Sequence, residues 1–278
     1  MITAARAGGA LLALAIATGS VPLGTAPAAN ASCVSAFGLS SGPDCESGFG
    51  SIAIAIGSNA IAQANGVLGV AIAVGTQSRS AITAGSVFTL ASAMGTFAAT
   101  DVKGILSATI TAGNRGRTDV GFGGGDAPQF GNVALNFGNH TNVVSNEVSA
   151  TGFGNLGVNV GGDAVIVDAT GLLNNATNLF GSGIVRTNGG ALSWAFNVYG
   201  SNNNVTAGPG FLAVAGSLGQ SGATVTQKPF GININGVAIP AAASVNALRN
   251  NRKSVAPKPN QSTSAKASKK GTARSARG

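Results

Sequence analysis

Four carboxylates are the residues best placed to do chemistry. Counted from the glycine that ends the preceding apolar run, Asp101 and Asp119 each stand six residues on, and Glu147 and Asp168 stand nine and seven on. If those runs are equivalent turns of a repeat, either pair shares one face, where two acids can bind calcium or divide acid and base roles on a polysaccharide. The ordinary role of such acids is surface solubility, and eight acids spread over residues 32–248 produce coincidences of spacing by chance. Arg115 and Arg117 stand close enough in the chain to neutralise Asp119. The single histidine, His140 in "GNHTN", has no serine or cysteine motif to pair with and is expected as a solvated turn residue rather than a base. No catalytic residue, metal ligand or cofactor is therefore assigned.

Two further groups have defined chemistry. Cys33 and Cys45 are the only cysteines, and a short loop between two cysteines in an exported chain most simply closes as one disulfide. The other group is a run of cations. Arg249, Arg252, Lys253, Lys258, Lys266, Lys269, Lys270, Arg274 and Arg277 supply nine of the 16 basic residues with no acid among them. The body from 32 to 248 holds six basic and eight acidic residues, so the net charge of +8 belongs to the tail. Such a tail attracts polyanions by releasing their counterions. The partners it suits outside a cell are anionic envelope polymer, phospholipid head groups or host glycosaminoglycan. Nucleic acid is disfavoured, because no aromatic residue follows Phe230 to stack on a base.

The expectation of export comes from the first 31 residues. An early cation at Arg6, the apolar run "GGALLALAIA" and the ending "APAANA" have the order of a secretory signal, with cleavage after Ala31. The domain plan that follows is a signal segment at 1–31, a disulfide-closed cap at 32–48, a repeat body at 49–231, a closing cap at 232–248 and a disordered basic tail at 249–278.

The elements that must position these groups come from the repeat itself. Gly57, Gly75, Gly95, Gly113, Gly138, Gly161, Gly181, Gly200 and Gly219 end successive apolar runs, in steps of 18, 20, 18, 25, 23, 20, 19 and 19 residues. Glycine, at 43 residues, and aromatics, at 5%, are far from the usage of a helical enzyme and fit a chain of strands and tight turns. One, five and eight residues before each marker stand only apolar or aromatic side chains. The two-residue strand period puts the fifth, third and first positions on one face, which is read as the core, and Phe130, Phe153 and Phe211 of the eighth column are read as core too. The third position turns polar at Asn178 and Asn197, which is tolerable inside a stack if each amide bonds to the amide of the next coil. Two strands and two turns in about 20 residues describe one coil of a parallel β-solenoid of about nine coils, an all-β rod on the order of 40 Å long. The same period could also describe pairs of membrane-spanning strands, although one Trp and one Tyr make no aromatic girdle.

Residues 52–80, "IAIAIGSNAIAQANGVLGVAIAVGTQSRS", resemble the head repeats of trimeric autotransporter adhesins, and the resemblance implies a left-handed β-roll. "FGNVALNFGN" and "FGNLGVNVGG" are similar to the Asn/Gly-rich repeats of secreted mycobacterial PPE-type proteins. "GFGGGD", Gly121 to Asp126, is one imperfect copy of the calcium-binding nonapeptide of RTX rolls and is read as a loop, since that motif works only in tandem. The reading as a whole is of an exported structural or surface-binding protein of a bacterial envelope. A polysaccharide-acting enzyme on the same scaffold and a membrane β-barrel are the alternatives.

Overall fold

A run such as "IAIAIG" has the period of a strand, and the glycine after it can turn into a conformation that side chains with a Cβ resist. In the computed structural model, which describes residues 32–121, 129–140, 146–163 and 165–240, these runs are strands, and no helix occurs among the described residues. Residues 1–31, read above as a signal segment, the basic residues from Arg249 to Arg277, Asp126, and residues 241–248 of the expected closing cap lie outside the described residues. From Cys45–Ser47 to Gly231–Ile234 successive strands alternate between a ten-stranded and a thirteen-stranded sheet, and each pairs with its counterpart one coil away, while reversed strands complete the larger sheet at both ends.

The chain is a parallel β-solenoid. In the larger sheet Ile52, Val70, Leu90, Ala108, Val133, Leu156, Asn175, Trp194, Val214 and Ile232 stand side by side in parallel register. Parallel pairing of this kind is incompatible with an up-and-down barrel, whose neighbouring strands run antiparallel. Both ends of the larger sheet are closed by reversal. Ser32–Ala36 runs antiparallel to Ile52–Ile56, and Val237–Pro240 folds back on Gly231–Ile234. A disulfide joins Cys33 to Cys45, tying the first reversed strand to the start of the smaller sheet.

Which residues face inward differs from the sequence expectation. In Ile52–Ile56 and Val70–Val74 the alanines at 53, 55, 71 and 73 are wholly buried, while the large residues at 52, 54, 56, 70, 72 and 74 point outward. The alternation holds along the sheet, through Ala91 and Ala93, Thr109 and Thr111, Ala134 and Asn136, to Ala215 and Ser217. They meet a column of small and β-branched residues from the other sheet, among them Ala62, Thr100, Val148, Val167, Val185 and Val205. The two sheets lie so close that only small, branched or amide side chains fit between them, so the bulkier columns are excluded. The eighth column is likewise not core. Phe153 and Phe211 are 48% and 41% exposed, and Phe130 is half-buried and stacked on Phe153 at 5.0 Å. These rings form a ridge at the corner between the sheets.

A second correction concerns register. Val160, Leu179, Val198 and Leu218 are partners, so the turn position held by Gly161 and Gly219 is taken in the two coils between them by Phe180 and Tyr199 in the left-handed region (φ 55° and 54°), not by Gly181 and Gly200. Asn178 and Asn197 therefore belong to the inward column with Asn136 and Asn159. There the expected amide ladder forms: Asn159 Nδ2 donates to Asn136 Oδ1 at 2.9 Å, Asn178 to Asn159 at 2.8 Å and Asn197 to Asn178 at 2.9 Å. A second ladder, Asn132, Asn155 and Asn174, uses its carbonyl oxygens to accept backbone N–H groups of the next coil, at 2.9, 2.8 and 2.7 Å.

In the first coils the turn glycines are enforced by close approach, since a Cβ on Gly57, Gly75, Gly95 or Gly113 would strike the carbonyl of the glycine one coil on. Asn178→Ala removes the donor to the Asn159 oxygen and the shortest bond of the Asn197 amide, which keeps only longer contacts at 3.4 Å to the Ser182 and Gly200 carbonyls, and each lost buried partner costs about 1–3 kcal/mol. Its melting temperature should fall by roughly 5 °C or more in a thermal scan, whereas replacement of exposed Asn204, outside the ladder, should shift it by less than about 1 °C.

Candidate functional site

The outer face of the smaller sheet collects the charged side chains. Its parallel register aligns Gln63, Ala81, Asp101, Asp119, Ser149, Asp168, Arg186 and Thr206 in one column, and Ile61, Arg79, Ala99, Arg117 and Glu147 in the outward column beside it. Asp101 and Asp119 are thus direct neighbours in adjacent coils. Glu147 and Asp168 are not: Glu147 opposes Ile166 and Asp168 opposes Ser149, so the two acids sit diagonally across one step.

Each acid of the ladder has its own environment. Asp119 is 3% exposed and takes a charged hydrogen bond at 2.8 Å from Nε of Arg117, two residues earlier on the same face. Its other oxygen, Oδ1, is buried and makes no hydrogen bond. Burial pushes the Asp119 carboxyl up from its ordinary 3.8 to about 6, with Asp101 and Glu147 adding to the rise and Arg117 opposing it. Asp101 lies 4.0 Å from Nη2 of Arg79. Asp168 accepts hydrogen bonds on Oδ1 from Ser149 at 2.9 Å and Thr170 at 2.8 Å.

A carboxyl near pH 6 beside a second acid has the protonation range of a general acid or base. Its geometry opposes that use, because Asp119 is closed off from any polymer chain and one oxygen is already held by Arg117. Among the described residues no group of three His, Cys, Asp or Glu is arranged to hold a metal ion. The ladder is an electrostatic seam on the smaller sheet, in which the neighbouring acids Asp101 and Asp119 are flanked by Arg79 and Arg117 of the adjoining column.

His140 departs from expectation. It is 4% exposed, and its Nε2 lies 3.2 Å from Asn136 Oδ1, so the ring closes the first end of the amide ladder instead of standing in solvent. Burial pushes its pKa down, against the charge of Asp163 and the backbone of Gly162. Sequence reasoning missed this because "GNHTN" has turn composition. The available signal was that His140 falls just after the polar column begins at Asn136.

Fold and seam together define a two-sheet parallel solenoid with charge confined to one sheet and the turns. Compared with known family models, curated proteins and solved structures, the chain matches none.

Asp119 and His140 should push stability in opposite directions with pH. A folded pKa raised to about 6 means that Asp119 favours the fold fully below its unfolded value of 3.8, and that this contribution, at most roughly 3 kcal/mol, is lost as pH rises towards 6. A lowered His140 contributes stability above 6.5 that is lost as pH falls. Urea unfolding from pH 4 to 7 should show the Asp119→Asn variant gaining on the parent as pH rises, and His140→Gln gaining as pH falls. Parallel profiles for parent and variants would remove both assignments.

Proposed function

We propose that this chain is an exported structural protein of a bacterial cell envelope, with the solenoid as a passive rod and the residues from Arg249 to Arg277 as its attachment to anionic polymer. The observation that carries the reading is the division of the molecule. Nine cations without an acid follow a body whose charges are compensated in a ladder. The body offers length instead of a cleft: ten parallel strands at about 4.8 Å spacing make a rod of roughly 43 Å. One open depression is lined by Thr96, Phe97, Asn114, Arg115 and His140, and another by Phe180, Tyr199 and the glycines and serines of neighbouring turns. The buried, Arg-held state of Asp119 weighs against the polysaccharide-cleaving alternative on the same scaffold.

Deleting residues 249–278 should abolish salt-sensitive retention on isolated envelopes and on immobilised anionic polysaccharide, while the far-ultraviolet circular dichroism of the body stays unchanged. Retention by the truncated chain, or retention indifferent to salt, would reject the attachment role. Phospholipid vesicles and glycosaminoglycan columns in the same series separate the three classes of polyanion.

A further inference from the structure

The fold turns its small residues inward and its large ones outward, and the consequence is a surface. No Asp, Glu, Lys or Arg occurs in any of the ten parallel strands of the larger sheet, from Ile52–Ile56 to Gly231–Ile234. The middle outward column runs Ile54, Ile72, Ser92, Ile110, Leu135, Val158, Thr177, Phe196, Gly216 and Ile234, uncharged throughout and polar only at Ser92 and Thr177, and the column that starts at Ile52 beside it is polar only at Asn175. Beside it, at the corner, stands a ridge of Leu68, Phe88, Leu106, Leu173, Leu192 and Leu212. All six have φ between 52° and 55°, and all are 43–57% exposed. A left-handed backbone is unfavourable for any residue with a Cβ, and glycine takes the position at Gly131 and Gly154, yet in six other coils the corner carries a large apolar side chain held out to solvent.

We infer that this face is a self-association surface on which a second copy of the same chain packs, sheet against sheet. The dimensions suit it. Ten strands at about 4.8 Å and five residues at about 3.3 Å give, with side chains, roughly 700 Å² per copy. Two copies bury roughly 1,400 Å² in total, within the range of stable specific interfaces and above the apolar patch a monomer ordinarily leaves open. Charge selects the occupant. An anionic membrane would be met by lysines and arginines bordering an apolar face, and these strands carry none. A sugar polymer would need aromatic platforms along the face, but the strands Ile52–Ile56, Val70–Val74 and Leu90–Met94 carry no aromatic residue, their side chains being aliphatic apart from Ser92 and Met94. An equally long, charge-free aliphatic and aromatic face is the complement, and this chain supplies one. Sheet edges compete little with it, because the outermost strands are the two-residue Leu39–Ser40 and the proline-ended Val237–Pro240. A closed pair with a twofold axis brings the same patch of each copy together.

Sedimentation equilibrium of the full chain across micromolar concentrations tests the inference. The parent should be dimeric. Ile72→Lys with Leu135→Lys should weaken the dimer at least tenfold with unchanged circular dichroism, and Ile72→Thr with Leu135→Thr, which puts uncharged β-branched side chains suited to strands at both positions, should weaken it less. Leu106→Gly with Leu212→Gly should also weaken association while leaving the melting temperature the same or higher at a dilution where parent and variant are both monomeric, a combination that a packing role in the monomer does not produce. A monomeric parent overturns the inference, as does a dimer indifferent to these changes. Binding to neutral phospholipid vesicles by a monomeric chain, released by the lysine variant, overturns it in favour of a lipid surface. None of these readouts uses the basic tail, so they stand or fall separately from polymer attachment.

Discussion

The backbone hydrogen bond from one coil to the next is the constraint on which the rest of this molecule depends. Leu68 N–H reaches Phe49, Phe88 reaches Val67, Leu106 reaches Val87, and the same step recurs down the chain to Phe230 and Phe211. Once each coil is bonded in register to its neighbours, every position becomes a column, and a column admits only side chains that tolerate a copy of themselves about 4.8 Å away. Alanine, valine, serine and threonine do so in a narrow interior. Asparagine does so better than most polar residues, because its amide carries a donor and an acceptor pointing opposite ways, and the next asparagine supplies the complement. Glycine does so where a carbonyl from the next coil occupies the place of a Cβ.

That constraint also explains where the sequence misleads. The period and the parallel stack were readable, because glycine after each apolar run is the visible trace of the turn column. The amide ladder was readable for the same reason: Asn178 and Asn197 could be inside only if they bonded to one another. Parity was not. An alternating strand of isoleucine and alanine has no polar face, and the usual inference that the larger apolar residue is buried picks the wrong side. Only the distance between the two sheets decides the matter, and that distance is a property of the whole stack. At Phe180 and Tyr199 the same blindness acts locally, since an aromatic residue in a left-handed turn is a poor guess when a glycine stands next to it.

The acidic pair was half readable. Equal offsets from two glycines placed Asp101 beside Asp119, but unequal offsets and the long step before Gly138 concealed that Glu147 falls opposite Ile166, two positions from the partner of Asp168. Burial was hidden altogether. Asp119 is an outward residue of a two-residue period and is nevertheless covered, so its carboxyl is desolvated and its acidity altered in a way that no spacing rule reports. His140 shows the converse, a turn residue by composition drawn inward because the asparagine column needs a group to close it.

A thin interior limits what burial alone can contribute. Removing a buried alanine methyl from water yields a small fraction of what a leucine yields, so the coils must be held chiefly by their ladders of backbone and side-chain hydrogen bonds, each adding on the order of 1 kcal/mol net. An arrangement that spends its isoleucines, leucines and phenylalanines on the outside forgoes the largest stabilising term available to it within one chain. That term becomes available when two such faces meet. The inverted alternation, the strained leucine corner and the absence of charge from ten consecutive parallel strands then have one physical cause: the larger sheet is built to be covered, and the smaller sheet, with its seam of acids and arginines, to remain in water.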